Sequence, residues 1–232
     1  MTAEATRRAR LSPMDPRLLD RARAAEGFMP EDEGLALAAA GREAGRLGPL
    51  LEIGTYCGKS AIYLGGAARE AGVVLFTVDH HRGSEENQVG WEHHDPRLVD
   101  PRTGRMDTLP WFRRTIEDAG LEDVVIAVVG DSRAVALHWS TPLGLVFVDG
   151  GHAFDAALSD YEGWAPKLLT GGLLVFHDVF EDPADGGQAP FEVWRRAVAS
   201  GDFVPESTTG SLRVLRRVDP RRDGSGEGDH TG

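Results

Sequence analysis

The most direct chemistry in this 232-residue chain lies in two aspartates placed just after short apolar runs. Asp149 follows the run Leu145–Val148, and Asp178 comes two residues after the run Leu173–Phe176. Such runs read as buried strands, and neighbouring strands lie about 4.8 Å apart. Two carboxylates at adjacent strand ends repel each other unless one is protonated or a cation bridges them. A hard, oxygen-coordinated Mg²⁺ or Mn²⁺ is the natural bridge; the alternative is one helix cap and one solvated side chain. His152 stands three residues past Asp149. An unperturbed imidazole, with a pKa of about 6.5, is mostly neutral at pH 7 and can accept a proton. His152 therefore reads as a general base, against the plainer reading of a structural histidine. His177, next to Asp178, is second in line as base or metal ligand.

A second set of residues could hold a nucleoside. Glu52-Ile53-Gly54-Thr55-Tyr56-Cys57-Gly58-Lys59-Ser60 ends one apolar run and opens a helical segment. Its glycines permit a tight turn and close backbone approach to a ligand. The spacing is neither the dinucleotide G-x-G-x-x-G nor a P-loop, because Ile53 stands where the P-loop needs its first glycine. Asp79 follows the run Val73–Val78 and can accept from both hydroxyls of a ribose, or cap a helix. After Val124–Val129 comes Gly130-Asp131-Ser132. Asp131 can accept from the exocyclic amine of an adenine, or cap the helix starting near Arg133.

The elements that position these residues alternate. Apolar runs begin at Leu50, Val73, Val124, Leu145 and Leu173, with helical patterns over about 59–71, 109–120, 133–139 and 155–168. This alternation predicts a parallel sheet with helices on both faces. Two further helices precede it, one over about 16–25 and one starting at Pro30. Phe203–Glu206 and Ser211–Leu215 read as a closing antiparallel hairpin. The polar, aperiodic stretch 80–108, with His80, His81, Trp91, His93 and His94, reads as an insertion or lid. Its histidine pairs make a poor zinc signal, and Trp91 suits stacking on a sugar or pinning the loop. The loop 180–191 reads as a second pocket wall, Trp164 and Trp194 as core. Residues 1–14 and 219–232 read as mobile ends around a single domain, 15–218.

Glu52-Ile53-Gly54 with Gly58, Val78-Asp79 and Gly130-Asp131-Ser132 resemble the nucleoside-binding signature of class I S-adenosylmethionine (SAM)-dependent methyltransferases. The stretch 147–178, FVDGGHAFDAALSDYEGWAPKLLTGGLLVFHD, is similar to metal-dependent small-molecule and sugar O-methyltransferases, the macrocin O-methyltransferase and cephalosporin-hydroxylase-like group. The resemblance covers roughly 48–180. It implies a Rossmann-like α/β sheet of order 3-2-1-4-5-7-6 with strand 7 antiparallel. It implies a SAM shell of Glu52, Gly54, Thr55, Tyr56, Gly58, Ser60, Asp79, Asp131, Ser132 and Asp149. Asp149 and His152 would be catalytic, and Asp149, Asp178 and His177 would hold Mg²⁺ or Mn²⁺. Two positions depart from the sugar-methyltransferase pattern: Gly151 replaces a second aspartate, and His177-Asp178 replaces a pair of aspartates. Methyl transfer from a sulfonium to an alcohol needs in-line placement and removal of the hydroxyl proton. The expected acceptor is a small hydroxylated molecule, with a methylmannose-type sugar or oligosaccharide as the guess.

Composition bounds the alternatives. The net charge of −12 argues against duplex nucleic acid, and no apolar run reaches the ~18 residues of a membrane span. The lone Cys57 excludes an internal disulfide and fits a reducing cytoplasm. The 23 Arg against 2 Lys read as high-GC codon usage of an actinobacterial kind. A nicotinamide-dependent oxidoreductase is disfavoured by the missing G-x-G-x-x-G, and a non-catalytic SAM-fold binder by the set Asp149, His152 and Asp178. A homodimer is the default assembly.

Overall fold

The computed structural model describes residues 14–84, 87, 94–151 and 153–219. Helices α1 (Pro16–Ala24) and α2 (Glu31–Ala44) come first. Asp15 caps α1 by accepting the Arg17 N–H, and Glu31, Asp32 and Glu33 fill the first turn of α2, where unpaired N–H groups favour negative charge. Then strands and helices alternate: β1 (Leu50–Ile53), α3 (Lys59–Ala71), β2 (Leu75–Asp79). A small hairpin, β3 (Val99–Asp100) and β4 (Arg105–Met106), precedes α4 (Leu109–Asp118). The series continues through β5 (Val125–Val129), α5 (Ser132–Leu137), β6 (Leu143–Val148), α6 (Phe154–Trp164) and β7 (Leu168–Phe176). It closes with α7 (Ala189–Ala199), β8 (Phe203–Thr209) and β9 (Leu212–Arg217).

Among the described residues the main sheet has the order β5-β2-β1-β6-β7-β9-β8. Its first five strands are parallel, and β9 runs antiparallel to both β7 and β8. Counted within this sheet, that is the order 3-2-1-4-5-7-6 with strand 7 reversed, as the resemblance implies.

Side chains alternate across the strands, so each strand feeds two cores. Leu50, Leu145, Phe147 and Val175 pack with α1 to α4 on one face. Leu51, Ile53, Val146 and Phe176 pack with α5 to α7 on the other, around the fully buried Trp164. Strand β7 begins at Leu168, earlier than the apolar run predicts. Its register against β6 jumps between Leu143 and Leu145, and Gly171 at φ +84° marks the irregularity that hides the strand's start.

Two expectations are corrected. The stretch 80–108 is not aperiodic throughout. Pro96–Leu98 form a 3₁₀ turn capped by Asp95, and Leu98 and Met106 pack on Cys57. Short hydrophobic anchors spaced too widely for a periodicity hold this part down. Met14, counted with the mobile end, is buried against the first core. Residues 1–13 and 220–232, with Trp91 and His93, lie outside the described residues.

Candidate active site

The parallel strands present their carboxyl ends at one rim, where open α/β sheets bind ligands. A cavity of about 780 Å³ opens there, within the usual range for small-molecule sites. Its wall takes in Gly54, Thr55, Tyr56 and Ser60 after β1, Asp79 at the end of β2, and Asp131 and Ser132 after β5. Asp149 follows from β6, and His177 and Asp178 from β7. Three non-glycine residues in the left-handed region sit on this rim: Tyr56 (φ +51°), His81 (φ +57°) and Asp178 (φ +53°). Such strained backbone is held by its surroundings and concentrates at ligand sites.

Two expected cofactor residues are not in the wall. Gly58 (φ +93°) ends the loop before α3, and a Cβ there would crowd Phe112 at 3.0 Å. Glu52 is fully buried, on the Leu50 side of β1. Ser60 and Thr55 compensate it in part, but neither carboxylate oxygen has a partner in hydrogen-bond geometry. Burial, with the charges of Asp149 and Asp79 nearby, pushes its carboxyl up to about 8. His152 lies outside the described residues.

Asp79 does more than end β2. Its Oδ2 accepts the N–H groups of Thr55 and Tyr56, both at 2.9 Å, and its Oδ1 accepts that of His81 at 2.6 Å. One carboxylate thus fastens the glycine loop to the next strand end. A carboxylate has about four acceptor positions, so room remains for a hydroxyl from the cavity. Gly54 (φ +83°) lets the same loop touch the Asp149 carbonyl, where a Cβ would collide.

At the β5 end, Asp131 caps α5 by accepting the Ala134 N–H at 3.0 Å, so the plainer of its two readings holds geometrically. The Ser132 hydroxyl accepts from the Trp164 indole at 2.8 Å. Buried Asp160 of α6 lies against it, and burial raises that carboxyl to about 6.

The register of β6 and β7 pairs Val148 with Phe176, which sets His177, rather than Asp178, beside Asp149. His177 Nδ1 lies 3.0 Å from Asp149 Oδ1 and 3.4 Å from Asp178 Oδ2. Its Nε2 lies 2.7 Å from Oε2 of Glu33. Burial alone would lower this imidazole's pKa, but the charge of Asp149 and hydrogen bonds to Asp149, Asp178 and Glu33 push it up to about 12. That overturns His177 as a base: both nitrogens already face carboxylates. The fit to a metal is better. Ligand atoms of Asp149, His177 and Asp178 lie within 4.8 Å of one another. With its Nε2–H donated to Glu33, the ring can offer Nδ1 to a cation in place of a proton. Two carboxylates and one imidazole suit Mn²⁺ better than Mg²⁺, which prefers oxygen throughout.

A family model described as a methyltransferase domain matches residues 51–179, more than half of the chain. The chain belongs to the methyltransferase-domain family. The match runs from β1 to the residue after Asp178, so it spans each rim loop just described. Solved structures share the fold of this methyltransferase. The O-methyltransferase TomG from Streptomyces achromogenes, involved in tomaymycin synthesis and solved with SAM, is 21% identical, with 90% of this chain and 92% of that one covered and a TM-score of 0.59. The O-methyltransferase from Bacillus cereus, solved with SAH, is 18% identical over 89% and 93%, with a TM-score of 0.59. The SAH-bound methyltransferase PaMTH1 from Podospora anserina is 16% identical over 94% and 97%, with a TM-score of 0.61.

Sequence reasoning missed two buried acids of this methyltransferase. Glu33 reads as a first-turn acid, yet it lies on the same helix stripe as Leu37, Gly41 and Ala44, all buried. A charge on an apolar stripe is the signal that marks it. Asp160 likewise shares a stripe with Ala157 and Trp164. The cavity wall also includes Phe28, which is 63% exposed and 5.5 Å from the Tyr56 ring between centroids. Nothing in the local pattern brings that segment to the site.

Proposed function

We propose that this protein is a SAM-dependent O-methyltransferase acting on a hydroxyl of a small, polar, sugar-like acceptor. The observation that carries the reading is one cavity lined by two different sets of residues. One set is the glycine loop and Asp79, suited to a nucleoside. The other is the cluster Asp149, His177 and Asp178. In the proposed reaction the acceptor oxygen bonds to the sulfonium methyl carbon, the S–CH₃ pair stays on sulfur, and the hydroxyl proton leaves to a base.

The chain's residues divide the work. Gly54 gives the backbone room beside Asp149, and Asp79 offers its remaining acceptor position to a ribose. The wall at Gly130, Asp131 and Ser132 takes the adenine. Asp149, Asp178 and His177 hold a divalent cation, which supplies positive charge that lowers the acceptor hydroxyl's pKa. His152, three residues after Asp149 in the sequence, takes the proton. The exposed Phe28 ring forms part of the acceptor's wall, whereas the loop 180–191, expected as a second wall, contributes no residue to the cavity.

The remaining parts of the proposal are a methylmannose-type sugar or oligosaccharide acceptor, a homodimer, a cytoplasmic location and a single domain that runs to 218 and takes in Met14. Among the described residues no helix is long and apolar enough to cross a membrane. The test is mass spectrometry of a sugar panel incubated with protein, SAM and Mn²⁺. A gain of one methyl group on a hydroxyl, with matching SAH, is the expected result. Calorimetry showing no binding of SAM or SAH would sink the reading.

A further inference from the structure

We propose that Glu33 is a positioning residue for the cation cluster, holding the His177 ring so that Nδ1 is aimed between Asp149 and Asp178. The inference rests on the reading of that cluster as a divalent-cation site. Glu33 belongs to α2, outside the strand–helix series that builds the rim, and its side chain is almost wholly buried. Its Oε2 receives His177 Nε2 at 2.7 Å and the Ser211 hydroxyl at 3.1 Å, and its Oε1 accepts the Ser211 N–H at 2.6 Å. The β8–β9 turn is shaped around this carboxylate. Gly210 there has φ +52°, and a Cβ on it would collide with Glu33 Oε1. The acid is therefore anchored from one side and spends its remaining reach on the imidazole.

The consequence is a fixed tautomer and a fixed ring plane. An imidazole whose one N–H is bound to a carboxylate presents the other nitrogen as the metal ligand and presents it as a better donor. Here that other nitrogen is Nδ1, already 3.0 Å from Asp149 Oδ1 and 3.4 Å from Asp178 Oδ2. Without Glu33 the ring could turn its Nε2 toward the rim or tilt away, and the three ligand atoms would no longer converge.

The test titrates Mn²⁺ alone into the full chain, read by the loss of free-ion signal in electron paramagnetic resonance. E33Q keeps the side chain's size but removes its charge. It should weaken Mn²⁺ binding by about 10- to 100-fold, the usual effect of removing a ligand's orienting partner. SAM affinity, read by calorimetry, should be unchanged. S211A removes a donor to the same carboxylate without touching His177, and should bind Mn²⁺ like the wild type. If E33Q does not fold, E33D takes its place: it keeps the charge but falls short of Nε2, and the same loss is expected. Equal Mn²⁺ affinity in wild type and the Glu33 variant overturns the inference. So does an equal loss in S211A, which would reduce Glu33 to an anchor for the turn. A wild type that binds no Mn²⁺ removes the cation reading itself, and is told apart because it needs no variant.

Discussion

Asp79 accepts the backbone N–H of Tyr56 at 2.9 Å, and Tyr56 is held there at φ +51°. The strained turn that shapes the cavity is thus fastened by the same carboxylate proposed to meet the ribose. D79A removes both functions. Hydrogen bonds to a charged group are worth about 1.5–3 kcal/mol, so SAM affinity should fall by roughly that amount, with a lower melting temperature. D79N, which keeps one acceptor oxygen, should fall between. Calorimetry showing wild-type SAM affinity in D79A would remove Asp79 from the site.

Gly54 should tolerate no side chain. Its φ of +83° strains any L-residue, and a Cβ would strike the Asp149 carbonyl. G54A should lose SAM binding and lower the urea midpoint, because β1 and β6 must part at their ends to admit the methyl group. A crystal of G54A with an unmoved loop would refute this account.

Glu52 makes stability depend on pH. Burial raises its carboxyl from 4.5 to about 8 in the folded chain. Between those values the folded chain keeps a proton that the unfolded chain has released. The contribution to stability is therefore full below about pH 4.5 and is lost as pH rises toward about 8. E52Q has no such proton to lose. Urea midpoints for both proteins at about pH 5 and about pH 8.5 should show the wild type falling more steeply. Parallel profiles would mean that Glu52 is not the group responsible.

Chelation should separate binding from turnover. EDTA is expected to abolish methyl transfer while SAM binding largely survives, and Mn²⁺ should restore activity better than Mg²⁺ because one ligand is an imidazole. D149N and D178N should resist restoration. Full turnover after exhaustive chelation would leave the imidazolium of His177 as the cation between the two aspartates.

His152 is the proposed base. H152A should lower kcat by about 10²- to 10⁴-fold with little change in SAM affinity. A limb of the wild-type rate that rises with pH through loss of this imidazole's proton should vanish in the variant. A limb that moves when Mg²⁺ replaces Mn²⁺ belongs to the acceptor hydroxyl instead. Retention of most of kcat where chemistry limits the rate would end the assignment.

The local features were legible because they are written over a few consecutive residues. Apolar runs at Leu50 and Leu145 specify strands buried on both faces, whereas the run at Val124, expected to be the same, forms the sheet's edge and leaves Ile126 and Val129 exposed; right-handed connections bring their carboxyl ends to one rim. Gly54, Asp79, Asp131, Asp149 and Asp178 could therefore be placed on that rim before any packing was known. What each does there depended on partners far along the chain. The β6–β7 register put His177 beside Asp149, and the packing of α2 over the rim carried Glu33 to it from 144 residues away. Glu52, expected against the cofactor, turned into the core because strand alternation assigns it to the Leu50 face. Periodicity is a property of a segment, and the chain states it directly. The charge on a histidine or the proton on a buried acid is set by desolvation and by neighbours on other elements, and only the tertiary structure brings those together.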